Sequence, residues 1–251
     1  MSAVTCKLWA GMGNQMFMIA SVLGYAKKHG MNYFLPPTTI APHIWKTHFP
    51  QFPTQRCPPH YVNYKEPKHS YTEIPKMEFI ELEGYFQSAK YFDHCKEDII
   101  NAFQIPYKKM EGCVSIHVRR GDYLLYKDKH PVVTIEYITE SVKFFLDKGY
   151  KNFIVCSDDT KWCRVQMKQL EQMGAELQFS SGRDHYSDLA LLSCAQHQII
   201  SNSSYSWWGA YLNRYPDKIV ITPHEDNWFG VNNKHLSVSD LIPEQWVRIK
   251  Y

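Results

Sequence analysis

Cys113-Val-Ser-Ile-His-Val-Arg-Arg-Gly-Asp122 decides how this chain is read. Residues 113–118 read as a strand, apolar over most of 113–116. The strand ends on two adjacent guanidiniums, an arrangement that is costly unless they meet an anion. Arginine presents a planar fork matched to phosphate oxygens, and two of them suit a diphosphate. Asp122 either orients an arginine or accepts a proton. A solvated Arg-Arg pair bridged to Asp122 is the plain alternative.

Outward from this stretch, short apolar runs alternate with longer amphipathic ones. Strands are expected over 4–9, 32–35, 79–83, 113–118, 153–156, 177–179, 198–201 and 218–221. Helices are expected over 15–29, 88–103, 134–148, 159–172, 185–194 and 206–213, several closed by glycine. Residues 36–78, rich in Pro, His and Tyr, read as loops and short elements. This alternation predicts an α/β fold with parallel sheets covered on both faces. A split near residue 107 gives two Rossmann-like halves, 1–107 and 108–251. Ligands in such sheets sit beyond the carboxyl ends of the strands.

Two further strand-end loops carry polar chemistry. Trp9-Ala-Gly-Met-Gly-Asn-Gln15 follows a strand and opens a helix. Gly11 and Gly13 allow backbone N–H groups to approach an anion, or the loop is an ordinary turn with Asn14 as helix cap. Neither a complete G-x-G-x-x-G nor a P-loop is present. Ser201-Asn-Ser-Ser-Tyr-Ser-Trp-Trp-Gly209 also joins a strand to a helix. Its hydroxyls and free N–H groups suit phosphate, and its tryptophans either pack the helix or line a sugar pocket. Asn202-Ser-Ser204 is formally a glycosylation acceptor, read here as a chance match. Asp158 and Asp159 point at a ligand or cap the next helix. Asp188 lies in a helical segment. His224-Glu-Asp226 is a weak metal candidate. There is no D-x-D to bridge a metal to a nucleotide-sugar diphosphate, so the cationic work falls to Arg119 and Arg120.

The bulk composition excludes several classes. Hydrophobic residues are 44% and charged residues 21% of 251, so a buried core is expected rather than disorder. A net charge of +3 disfavours a general nucleic-acid binder. Seven unpatterned cysteines read as reduced thiols in a cytoplasmic chain. The apolar run 16–26 is too short to span a membrane and reads as a buried helix.

Taken together, the loops resemble glycosyltransferase family 11, the α-1,2-fucosyltransferases. Gly11-Met-Gly-Asn-Gln-Met-Phe17 resembles the family's G-x-G-N-Q-M-F opening. His117–Asp122 with Tyr123 resembles H-x-R-R-G-D-Y, and residues 202–209 resemble N-S-[ST]-[FY]-S-W-W-G. Ser157-Asp-Asp159 and Pro223 with Trp228-Phe229 match two lesser motifs. The matches fall in family order from residue 11 to 229.

The resemblance implies a GT-B-type architecture whose two halves face a cleft. It implies a GDP-β-L-fucose donor, inversion to an α-fucoside on a glycan acceptor, and no metal cofactor. Residues 1–107 would be the acceptor side and 108–251 the donor-binding side. Arg119 and Arg120 would hold the β-phosphate, His117 and Asp188 the guanosine, and Ser203 and Ser204 the diphosphate oxygens. Asn14 would sit near the sugar and acceptor, with Gly13 and Asp158 also in contact with substrate. Asp122 is the candidate base, weakened by pairing with an arginine, and the departing diphosphate is the alternative proton acceptor. The rival readings are another fucosyl linkage or a non-catalytic GDP-sugar or glycan binder.

Overall fold

The computed structural model describes residues 2–37, 49–182 and 184–251. Part of the expected loop region 36–78 therefore lies outside the described residues. The chain divides into two compact units, Met1–Gln104 with Leu236–Pro243 and Ile105–His235 with Glu244–Tyr251.

Among the described residues, four parallel strands build the first unit: β1 (Ala3–Cys6), β2 (Asn32–Tyr33), β3 (Val62–Lys65) and β4 (Phe79–Glu83). Their order is β2-β1-β4-β3. The alternation in β4 turns Ile80 and Leu82 into the core, both fully buried. Helix Met12–His29 starts three residues earlier than the sequence indicated and is buried over most of its circumference. That burial explains its unbroken apolar run. Gly30, at φ 64°, closes it. The expected helix over 88–103 instead begins as two 3₁₀ turns and becomes α-helical only at Lys96–Phe103.

The middle of the long helix has no room for a side chain at Gly24. A Cβ there would lie 2.3 Å from the Tyr91 carbonyl oxygen and 2.9 Å from the Phe92 Cα. Both are backbone atoms, so neither can swing aside. Gly24→Ala is expected to destabilise the protein by about 1–3 kcal/mol despite alanine's better helix propensity. Urea unfolding checks this, and an unchanged or raised midpoint would contradict the packing.

The second unit contains β5 (Met110–Val118), β6 (Asn152–Ser157), β7 (Glu176–Phe179), β8 (Ala195–Ile199), β9 (Val220–Pro223) and β10 (Val247–Ile249). They form one parallel sheet in the order β10-β9-β8-β5-β6-β7. Val114, Ile116 and Val118 of β5 join Tyr137, Phe145, Val155 and Leu170 in the core. Strand β8 begins at Ala195, ahead of the apolar residues that signalled it. Its His197 is buried and accepts the Ile219 N–H through Nδ1 at 2.9 Å. The expected helix over 159–172 is divided at Met167 into Thr160–Gln166 and Lys168–Gln172. All seven cysteines are free thiols, and only Cys57 is not buried.

Strand β5 is central. The chain steps from it to β6 and β7 on one side, then to β8, β9 and β10 on the other. The order reverses between β5 and β8, and a crevice for ligand opens beyond the carboxyl ends of strands at such a reversal.

Candidate functional site

Three loops leave neighbouring strands at that reversal: residues 119–122 after β5, 158–159 after β6 and 200–203 after β8. Register sets them level, since Val118 pairs with Ser157 and Ile116 with Ile199. The loops are also tied side to side. Ser157 Oγ donates to the Val118 carbonyl at 2.8 Å. His117 Nδ1 lies 2.7 Å from the Ser201 hydroxyl. The Tyr123 hydroxyl donates to the Asn202 carbonyl at 3.1 Å.

Asp158 organises the arginines. Its Oδ1 accepts the Arg120 backbone N–H at 2.8 Å, and its Oδ2 binds Arg119 Nη1 at 2.8 Å. A Cβ at residue 121 would stand 2.6 Å from the same Oδ2, so glycine is what lets the loop close on Asp158. Arg119 also reaches Asp122 Oδ1 through Nη2 at 2.6 Å, which occupies both of its terminal nitrogens.

Arg120 is held differently. Its Nε binds Asp159 Oδ2 at 3.1 Å, and its guanidinium lies 3.8 Å above the Trp162 ring centroid. Only 14% of the side chain is exposed, yet Nη1 and Nη2 have no partner among the described residues. Asp159 also caps the following helix, accepting the Trp162 N–H at 3.1 Å. That bond, with Arg120 beside it, keeps its carboxyl below the usual carboxylate range. The sequence left Asp159 as ligand or cap; here one carboxylate caps the helix and orients the arginine. Trp162 was missed because a tryptophan inside a helical stretch reads as core.

Burial, with the Arg119 and His185 charges, drives the buried His117 ring from its ordinary 6.5 to about 3, so it is a neutral hydrogen-bonding group. The unfolded chain takes up this proton below about 6.5, while the folded chain resists until about 3. Stability is therefore greatest above 6.5 and is lost as pH falls toward 3. His117→Gln is expected to flatten that part of the profile, read by urea unfolding at stepped pH. A wild-type profile with no slope there would contradict the burial.

Ser203 is the N-cap of helix Ser204–Leu212, its hydroxyl accepting the Tyr205 N–H at 3.4 Å, and Ser204 is the first helical residue. Asp188 is half-buried on helix His185–Cys194, where burial raises its acid against a bond from Ser180. Trp207 and Trp208 are fully buried and pack with Tyr211 and Trp246, so the sugar-lining alternative for them falls. Asn202 is buried too, its amide donating to the Pro131 and Trp228 carbonyls, which removes it as a glycosylation site. Glu225 pairs with Arg248 and Asp226 with Lys250. Among the described residues no group of three or more His, Cys, Asp or Glu is placed to hold a metal. Among them, also, no helix is long and apolar enough to cross a membrane.

The second unit thus gathers His117, Arg119, Arg120, Asp122, Asp158, Ser203 and Ser204 at one sheet edge, with Asp188 on a helix of the same unit. Gly13 and Asn14 belong to the first unit. Asn14 does not cap its helix: the N-cap is Gly11, and Asn14 sits within the first turn. Its Oδ1 accepts Gln87 Nε2 at 2.7 Å.

Two compact units, each built on a parallel α/β sheet, define a GT-B-type fold. A mutant of Arabidopsis thaliana FUT1 in complex with GDP has the same fold at a TM-score of 0.55 and 12% identity, over 91% of this chain and 73% of that one. The sequence profile of Glycosyl transferase family 11 matches residues 2–249. The chain belongs to that family. An Escherichia coli alpha-1,2-colitosyltransferase is 33% identical over 187 residues, covering 68% of this chain and 63% of its own. The Bos taurus galactoside 2-alpha-L-fucosyltransferase SEC1 is 28% identical over 235 residues, covering 80% of this chain and 62% of its own. The chain thus spans less than two thirds of the length of these relatives.

Proposed function

We propose that the protein transfers L-fucose from GDP-β-L-fucose to a sugar hydroxyl, with inversion, on the 2-hydroxyl of a β-galactoside. The observation that carries this is the Arg120 guanidinium, clamped on its Nε edge and one face while its two outer nitrogens have no partner among the described residues. That is a pre-organised fork for the diphosphate, and such fixed charge stabilises the negative charge that develops on a leaving group. The neutral His117 ring and the half-buried Asp188 are assigned to the guanosine, and Ser203 and Ser204 to phosphate oxygens at a helix start. On this reading the second unit holds the donor and the first unit, with Asn14, the acceptor.

In the reaction the acceptor oxygen attacks the anomeric carbon as the bond from that carbon to the β-phosphate oxygen breaks. The hydroxyl proton leaves to a base, and GDP departs. Asp122 is assigned the proton. Its Oδ1 is engaged by Arg119, but Oδ2 has no partner among the described residues, and 55% of the side chain is exposed. The departing diphosphate is the other acceptor for that proton. Arg119 and Arg120 supply positive charge at the diphosphate on this reading. The E. coli relative is named for colitose, so a colitose donor is the second reading.

The test incubates the protein with GDP-fucose or its colitose counterpart and a panel of β-galactosides, with and without EDTA. EDTA-resistant product carrying fucose on the galactose 2-hydroxyl is expected. GDP binding without any product would favour a non-catalytic binder.

A further inference from the structure

The first sheet has its own reversal point. The chain runs from β1 out to β2 and then occupies the other side with β3 and β4, so the order turns between β1 and β4. Residues 7–11 leave β1 there, and residues 84–87 leave β4. Each loop turns on a non-glycine residue in the left-handed region, Ala10 at φ 62° and Phe86 at φ 50°. Such backbone is strained, persists only where the surroundings enforce it, and clusters at ligand sites. The enforcement is visible. Glu66 accepts the Tyr85 and Phe86 N–H groups at 2.7 and 3.0 Å, and Gln15 Nε2 donates to the Ala10 carbonyl at 2.9 Å.

What these strained loops hold in place is a pair of aromatic rings. Trp9 and Tyr85 meet edge to face, centroids 5.5 Å apart at 66°. Tyr85 is 37% exposed, and neither the Trp9 indole N–H nor the Tyr85 hydroxyl has a partner among the described residues. An edge-to-face pair leaves the faces of the edge-on ring clear of its partner. On the helix that follows the Trp9 loop, Gln87 holds the Asn14 carbonyl oxygen, and His69 Nε2 braces Gln87 Oε1 at 3.1 Å. That fixes the Asn14 amide nitrogen as a donor without a partner among the described residues. The charges nearby are compensated: Lys7 pairs with Glu83, and Glu66 with its two N–H groups.

We infer that Trp9, Tyr85 and Asn14 form a binding subsite for a neutral sugar ring. The apolar face of a pyranose stacks on the exposed aromatic surface, and its hydroxyls take the three unpartnered polar tips. Phosphate or nucleotide is disfavoured because, among the described residues, the lysine beside these loops, Lys7, is already paired with Glu83. The transferase reading enters only in naming this sugar the acceptor.

The test uses the intact chain and the variants Trp9→Ala, Tyr85→Ala and Trp9→Phe. Binding to an immobilised-glycan array and titration with methyl β-galactoside are read beside GDP calorimetry on the same samples. Each alanine variant is expected to lose glycan affinity about tenfold or more. GDP affinity should stay at the wild-type value, and Trp9→Phe should keep most glycan binding because it keeps a ring. Should Trp9→Ala fail to fold, the more exposed Tyr85→Ala carries the comparison. Wild-type glycan affinity in both alanine variants, or no glycan binding by the wild-type chain, would overturn the inference. Failure of the transferase reading looks different, as absent GDP binding or transfer beside intact, ring-dependent glycan binding.

Discussion

Arg120→Ala is expected to lower kcat/KM for fucosyl transfer by about 100- to 1,000-fold, the scale of removing one pre-organised donor to a developing anion. The two arginines are adjacent in sequence but unequal in structure. Arg119 spends both outer nitrogens on Asp122 and Asp158, whereas among the described residues Arg120 spends neither of its own. Arg119→Ala should therefore cost less, through the loosening of two carboxylates rather than the loss of a phosphate ligand. Arg120→Lys should not rescue. A lysine ammonium carries no planar fork, and it cannot lie flat on Trp162 while binding Asp159 edge-on. Steady-state kinetics on folded variants decide this, and an Arg120→Ala enzyme within a few-fold of wild type would remove the phosphate role.

Asp158→Ala is expected to cost about 10- to 100-fold, although this carboxylate is assigned mainly a positioning role. One carboxylate holds both arginines, Arg119 by its side chain and Arg120 by its backbone N–H. A hydrogen bond involving a charged group contributes about 1.5–3 kcal/mol, and each 1.4 kcal/mol is a factor of ten in rate. The loss should fall mainly on kcat if geometry in the transition state is what suffers. Asp158→Asn keeps an acceptor for the Arg120 N–H and should recover part of the rate. Equal losses in the two variants would mean the negative charge, not the bond to the Arg120 backbone, matters.

Much of this architecture was legible because strand ends carry the chemistry. Apolar runs located β4, β5 and β6 closely, since each lies deep in its sheet and polar residues would be costly there. Strand β8 was misplaced because its early residues, Gln196 and His197, are polar, each accepting one backbone N–H. Strands β3 and β10 were missed, being short, edge-positioned and only partly buried or exposed. At the site, residue identity announced an anion. The division of labour between Arg119 and Arg120 was not legible, because it depends on which carboxylate each one meets across the sheet. Trp162 stayed hidden because inside a helical stretch it reads as core, and its contact with Arg120 joins residues distant in sequence.

The account rests most directly on GDP binding by the second unit through Arg120. Calorimetric titration of GDP into the wild-type protein and into Arg120→Ala tests it. Saturable one-site binding in the wild type, weakened at least tenfold in the variant, is the predicted result. No GDP binding by the wild type, or equal binding by both proteins, would contradict it.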